Sequence, residues 1–253
     1  MRFLERAVAS LLYHRKFALG IVLWSFLFLS GTLYLSTMIV LERQSLNQLD
    51  SRFYQLPTQT HQHAVQLLGP MQKVHRQLIQ HYEFGLLLFI GICALVFLLF
   101  IAIYLRSRRK EFRIYRFAGK SNAFIGRQFM GETLLTFVLA FIFFFLLTLL
   151  FSKSLLSMFQ NLNQQAFMQA LNQINISRTN FNRLLREIFQ ARLTPFNGNT
   201  LLFGPGQDPD QFFQFPSLLA TYGGLGGLFI AAASWCSAWL ASRIWQHSIQ
   251  KRG

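Results

Sequence analysis

Four long apolar runs constrain the fold of this chain more than any other feature of its sequence. They cover residues 17–41, 84–105, 133–151 and 216–241, and none of them contains Lys or Arg. A transmembrane helix needs about 20 mainly apolar residues, so each run is long enough to cross a bilayer. Only 13% of the residues are charged, against about 25% in soluble domains. The sequence therefore predicts an all-α membrane protein with four transmembrane helices.

The segments outside the runs are predicted from their polarity and periodicity. They form an N-terminal amphipathic interfacial helix, a helical extracellular stalk, a connector, a small extracellular section and a tail, at residues 1–16, 42–83, 106–132, 152–215 and 242–253. Pro57 and Gly69-Pro70 predict the join between two stalk helices, and Pro195 predicts a break in the section 152–215. The run 17–41 is too long for a signal peptide and no small-residue cleavage site follows it, which favours a retained span.

Basic residues are distributed unevenly between the two sets of connections. Fifteen of the 24 Lys and Arg lie in 1–16, 106–130 and 240–253, at a density about threefold higher than in the other two connections. Basic residues concentrate on the cytoplasmic side of membrane proteins. Both termini and the connector are therefore predicted to be cytoplasmic, in a multi-pass membrane protein.

Sequence motifs for catalysis or nucleotide binding are missing. The chain has no GxxxxGK[ST] phosphate loop, no HExxH and no CxxC, so the sequence predicts neither an enzyme nor a bound cofactor. The net charge of +15 does not predict nucleic-acid binding, because the bases flank apolar spans and no nucleic-acid motif is present. Cys93 and Cys236 both lie in apolar runs and are predicted to be small buried hydrophobes.

Two groups of residues outside the connector are candidates for specific roles. Four histidines lie in the first extracellular section, and imidazoles can bind zinc, copper or haem iron. These metal candidates are His61, His63, His75 and His81, although histidines of a Gln-rich stalk explain them equally well. Small residues in the last span allow close helix packing, within one subunit or between subunits. These helix-packing candidates are Gly223, Gly224 and Gly227.

The connector contains the most informative local pattern. Gly119 allows a C-terminal helix cap, and Ser121 or Asn122 can cap a new short helix that carries Phe124. Such a helix is expected to lie across the ends of two spans. Residues 108–120, RRKEFRIYRFAGK, together with Glu132 and the span that follows, resemble the RRxEIxxLRAxGxS…E signature of FtsX-like, MacB-type ABC transporter permeases. Residues 7–26, AVASLLYHRKFALGIVLWSF, are similar to the N-terminal helix and first span of that family.

The resemblance implies a four-span permease of a bacterial plasma membrane, which pairs with a second permease, identical or similar, on two cytoplasmic ATP-binding subunits. ATP and Mg²⁺ would then bind to the partner, and the helix after Gly119 would be the coupling helix. The implied ATPase-coupling residues are Arg108, Arg109, Glu111, Arg113, Arg116, Gly119, Phe124 and Glu132. The family works by mechanotransmission, in which ATP-driven movement inside the cell moves helices outside it. The section 42–83 is shorter than the large extracytoplasmic domain usual in this family.

The predicted function is that of the permease subunit of an ABC transporter that exports peptides, antimicrobials or other amphiphiles. Two alternatives stay open on the sequence alone. The same spans could form a signalling scaffold that activates an extracellular hydrolase or a sensor, or a permease for haem or metal efflux that uses the histidines.

Overall fold

The computed structural model describes residues 13–54, 58–173 and 209–250 of the chain. Within these ranges, only the backbone is described for residues 50–68, 116, 172–173, 209–214 and 245–250. The predicted interfacial helix up to residue 12, the proline at 57, the stretch 174–208 with Pro195, and the end of the tail lie outside the described residues.

The described residues form α-helices, namely α1 (Arg15–Tyr54), α2 (Thr58–Ser107), α3 (Arg109–Phe117), α4 (Asn122–Leu150), α5 (Ser152–Gln173) and α6 (Pro209–Gln250). The turns described between consecutive helices, from α2 to α5, are short. Four segments are long and apolar enough to cross a membrane, namely Arg15–Leu49, Gly69–Ser107, Asn122–Leu150 and Phe215–Ile244. A helix satisfies its backbone hydrogen bonds internally, which a bilayer demands. The predicted all-α, four-span membrane protein is confirmed.

The helices divide into two compact units. Unit 1 comprises Met1–Thr32, Leu88–Leu149 and Leu219–Gly253, as far as these are described, and unit 2 comprises Leu33–Leu87 and Leu150–Leu218. Helices α1, α2 and α6 each contribute residues to both units.

Unit 1 is held by a large apolar cluster with a few buried polar links. Its most deeply buried members are Ile21, Leu29, Phe97, Ile101, Phe129 and Ile230. The Trp24 indole N–H donates to the backbone oxygen of Cys93 at 3.0 Å, which joins α1 to α2. The Thr133 hydroxyl donates to the Ser234 hydroxyl at 2.9 Å and joins α4 to α6. Cys93 is buried as predicted, whereas Cys236 is exposed because it lies on the outward side of α6.

Glycines of α6 make room for aromatic rings from neighbouring helices in unit 1. A Cβ atom at Gly226 would lie 2.7 Å from the Phe28 ring and 3.3 Å from the Phe137 ring. The Phe141 ring fills the equivalent space at Gly223, and Gly227 contacts Phe137 more loosely. A Cβ atom at Gly224 would meet nothing within 4 Å. Packing inside one subunit therefore explains two of the three predicted packing glycines, Gly223 and Gly227. The third, Gly224, faces open space and makes no such packing contact.

Unit 2 has its own core of aliphatic and aromatic side chains. Met38, Leu49, Met71, Val74, Phe167 and Leu171 are almost fully buried. Phe159 stands edge-on between two other rings, with centroids 5.6 Å from Tyr34 and 6.1 Å from Phe215. These contacts bring α1, α5 and α6 together within the unit.

Two helix boundaries differ from the sequence prediction. Pro70 lies inside α2 instead of ending a stalk helix, since a proline removes a single backbone donor and a 50-residue helix remains bonded on both sides of it. The segment after Gly119 is the start of the 29-residue helix α4 and not a separate short helix. No proline interrupts residues 122–150, so every residue of this stretch keeps its backbone donor for the helix.

The α6 glycines offer a matched pair for a packing test. We expect Gly226→Leu to lower stability by about 1–3 kcal/mol, because the new side chain must displace the Phe28 and Phe137 rings. Gly224→Leu should have an effect below about 0.5 kcal/mol, because its Cβ meets open space. Thermal unfolding in detergent measures both, and equal losses would contradict this packing.

Candidate functional site

The connector between the second and third spans consists of the nine-residue helix α3, a tight turn and the start of α4. The hydroxyl of Ser107, the last residue of α2, donates to the Tyr104 carbonyl at 2.7 Å. The backbone N–H of Arg108 also bonds to Tyr104, and that of Phe112 bonds to Arg108, so the chain passes into α3 with little change of backbone geometry. The stretch between the second span and Gly119 is thus a cationic helix, α3.

Gly119 ends α3 in the manner expected of a glycine cap. Its φ of 73° lies in the left-handed region that only glycine adopts without strain. The Lys120 N–H bonds back to the Tyr115 carbonyl at 3.1 Å, which is the outer bond of a Schellman motif. Ser121 then caps α4 by accepting the Phe124 N–H on its hydroxyl at 3.2 Å. The turn therefore fixes where one helix stops and the next begins.

A buried ion cluster fixes the inner side of the connector. The Arg108 side chain is 5% exposed. Its Nε donates to Glu111 at 2.6 Å and its Nη1 donates to Glu132 at 2.5 Å. Glu132 is itself buried on α4 and also accepts from Gln128 at 3.4 Å. The ion cluster, defined as Arg108, Glu111 and Glu132, therefore ties the α2–α3 junction, α3 and α4 to one another.

The charge state of Arg108 follows from this arrangement. Burial alone would lower the pKa of the guanidinium. The nearby charge of Glu132, reinforced by its hydrogen bond and by Glu111, outweighs burial and raises that pKa above its usual range. Arg108 is therefore cationic at every accessible pH, and the two carboxylates must stay near it.

The ion cluster also contacts His14, just before α1, and the Tyr104 ring of α2. The second carboxylate oxygen of Glu111 lies 3.0 Å from His14 Nε2. The Arg108 guanidinium carbon lies 5.4 Å from the centroid of the Tyr104 ring, within the range of a cation–π contact. The Gln128 amide, which also donates to Glu132, donates to the Tyr115 hydroxyl of α3 at 3.0 Å.

The outer side of α3 is exposed and mixes cations with large apolar side chains. Among its described side chains, five are exposed and share one helix face, namely Arg109, Lys110, Arg113, Ile114 and Phe117. Ile114 is 66% exposed and Phe117 is 85% exposed. We call this surface the exposed face of α3. The sequence analysis selected the arginines of this face and missed Ile114 and Phe117. These two residues are three positions apart, on the side opposite buried Phe112, and this spacing could have identified them as neighbours on one helix face.

Seven of the eight predicted coupling residues fall into three groups. Arg108, Glu111 and Glu132 meet in the ion cluster, and Arg109 and Arg113 lie on the exposed face of α3. Gly119 makes the turn, and Phe124 lies beside it with the Lys120 ammonium 5.2 Å from its ring centroid. Arg116 belongs to α3, and its side chain lies outside the described residues.

The four histidines of the metal hypothesis are not gathered into one described site. His75 is fully buried, pairs through Nδ1 with the Glu42 carboxylate and stacks on Phe167 with centroids 4.5 Å apart. His81 is exposed beside Tyr82. His61 and His63 lie on α2 with side chains outside the description. Among the described residues, no group of three His, Cys, Asp or Glu could hold a metal ion.

Comparison with known proteins gives one match. Residues 83–177 match a family model described as FtsX-like permease C-terminal. The matched region contains the end of α2, the connector and α4, and therefore the whole ion cluster. No curated protein and no solved structure matches the chain.

The ion cluster predicts a large penalty for removing one carboxylate. Glu132→Gln should lower the free energy of unfolding by about 3 kcal/mol, because a buried guanidinium loses one of its compensating charges. The matched control is Glu83→Gln, which breaks the exposed Arg43–Glu83 pair of unit 2 and should cost less than about 1 kcal/mol. Chemical unfolding in mixed micelles compares them, and similar losses would show that the buried cluster contributes little.

A second pair of variants separates a structural histidine from a metal ligand. His75→Ala should lower stability by about 3 kcal/mol, because it leaves Glu42 buried without its partner. His81→Ala should change stability by less than about 0.5 kcal/mol. Thermal unfolding with and without added Zn²⁺ measures this. A zinc-dependent rise in the Tm that both substitutions abolish would instead support the metal hypothesis.

Proposed function

We propose that this chain, an FtsX-like permease by its domain at residues 83–177, is the membrane subunit of an ABC transporter driven by a separate ATP-binding subunit. It forms a dimer, with itself or with a similar permease, and the dimer binds two copies of the ATP-binding subunit. Hydrolysis of Mg-ATP takes place in that partner. The transported molecules are peptides, antimicrobials or other amphiphiles, which leave from the membrane or its outer surface.

The observation that supports this function best is the contrast between the two sides of α3. The inner side is fixed by the ion cluster, and the exposed face presents three cations around Ile114 and Phe117. Solvent-exposed Phe and Ile beside arginines are typical of a protein-binding surface. A partner that docks on this face would move α3 together with the ends of α2 and α4, because the ion cluster joins them.

The side of the membrane follows from charge. The connector has eight of the 24 basic residues, and the loops on the opposite side are poor in them. ATP is available in the cytoplasm, which is the side that the charge distribution predicts for the connector. This distribution therefore supports docking of the ATP-binding subunit on the exposed face of α3, with both chain termini in the cytoplasm.

Helix continuity supports a mechanical role for the spans. Helices α1 and α2 each contribute residues to both units, and each helix is unbroken where it passes from one unit into the other. An uninterrupted helix transmits displacement along its axis better than segments joined by loops. Movement at the connector would therefore reach the helices of unit 2, where we place the contact with transported molecules.

Docking is tested by removing the apolar residues of the exposed face of α3. Ile114→Ser with Phe117→Ser should weaken association with the ATP-binding subunit by at least tenfold, because apolar anchors dominate such interfaces. The chain is co-expressed with the ATP-binding protein of a neighbouring gene, and co-purification and ATPase rate in proteoliposomes are measured.

The matched control removes two large side chains of similar exposure from unit 2. Phe151→Ser with Met158→Ser, each 54% exposed in the native chain, should leave association unchanged. Equal association of the Ile114/Phe117 variant and the native chain would rule out this docking surface. Equal loss in both variants would indicate damage to folding and would also count against the proposed face.

A further inference from the structure

We propose that a groove in unit 1, between the start of α1 and the end of α2, binds the headgroup and an acyl chain of an anionic phospholipid. The groove has a volume of about 710 Å³. The residues that define its chemistry are His14, Arg15, Lys16, Phe100, Ile103 and Ser107. It lies beside the connector but shares no residue with the exposed face of α3, and it does not depend on the proposed ATP-binding partner.

One side of the groove is cationic. Arg15 and Lys16 are both exposed at the start of α1. His14 adds a polar edge and is held in place by Glu111 at 3.0 Å. Among the described residues no carboxylate lines the groove. Two adjacent cationic side chains on one rim favour an anionic group over a neutral or cationic one.

The other side is apolar. Phe17 stacks between two rings of α2, with centroids 3.3 Å from Tyr104 and 4.9 Å from Phe100. Ile103 is 71% exposed at the mouth of the groove. The stacked rings form a continuous apolar wall between α1 and α2. Its apolar wall leads from the cationic rim along α2 into the apolar run 84–105.

The position of the groove matches the depth of lipid headgroups. One spanning segment begins at Arg15 and another ends at Ser107, so the rim lies at the end of two spans, where headgroups meet the hydrocarbon region. A soluble phosphate could satisfy the cations but would leave the apolar wall uncovered. A zwitterionic lipid would cover the wall but bring its own positive charge near Arg15 and Lys16. An anionic phospholipid satisfies both surfaces.

The bound lipid would also contact the elements that position the connector. His14 joins the groove to Glu111 of the ion cluster, and Ser107 is the residue before Arg108. Occupancy by the lipid should therefore stabilise unit 1.

The test counts lipids bound to the full-length chain by native mass spectrometry. The chain is purified from vesicles containing equal amounts of phosphatidylglycerol and phosphatidylcholine. The native protein should retain phosphatidylglycerol in preference to phosphatidylcholine. Arg15→Gln with Lys16→Gln should reduce this preference by roughly tenfold, because both rim cations are removed. Arg15→Lys with Lys16→Arg should retain the preference, since both charges remain.

The matched control removes two exposed arginines of unit 1 that do not line the groove. Arg127→Gln with Arg243→Gln makes the same change in net charge and should leave the preference intact. Excess glycerol 3-phosphate should not displace the lipid, and displacement would indicate a site for soluble anions. If both Gln variants lose the preference equally, net charge alone explains the effect and the proposed site is overturned. Low retention of both lipids by the native chain would also overturn it.

Discussion

The buried guanidinium of Arg108 is the constraint on which the connector depends. Removing an ion from water costs several kcal/mol even after relaxation, and the cost is recovered only with close opposite charges and good hydrogen bonds. Glu111 and Glu132 supply these at 2.6 and 2.5 Å. Because Glu132 belongs to α4 and Glu111 to α3, Arg108 stays compensated only while both helices keep their positions. A hydrophobic contact would tolerate sliding, whereas this cluster does not.

That constraint gives the two sides of α3 different properties. The inner side is fixed by charge, by Tyr115 and by the buried Phe112 ring. The exposed face contains apolar side chains that nothing in the described part of the chain covers. The turn at Gly119 sets the angle between α3 and α4 through backbone bonds. Together these features make the connector suitable for transmitting force, which is how we interpret the FtsX-like match over residues 83–177.

Much of the fold could be predicted because the membrane imposes simple requirements. Long apolar runs must be helices, and the four spans were found from run length alone. The cap residues Gly119 and Ser121 were also predictable, because their roles depend on the local backbone. Pro70 misled the prediction because a proline breaks a short helix more readily than it breaks a 50-residue one.

The pairings were harder to predict because they join residues distant in sequence. Glu132 was recognised as a carboxylate at the edge of a span, but Arg108, its partner 24 residues away, could not be chosen from several neighbouring arginines. His75 was grouped with other histidines, whereas the structure pairs it with Glu42, 33 residues away. Ile114 and Phe117 were overlooked because the charges around them dominated the pattern.

The most direct test of the central claim is site-specific photo-crosslinking in living cells. A photoreactive amino acid is placed at Phe117 on the exposed face of α3, or at Leu228, an exposed position of the apolar last span. Phe117 should give a covalent adduct with a protein that contains a GxxxxGK[ST] phosphate loop, identified by mass spectrometry, and Leu228 should not. Adducts of that protein at both positions, or at neither, would contradict the proposal that energy enters this chain through the exposed face of α3.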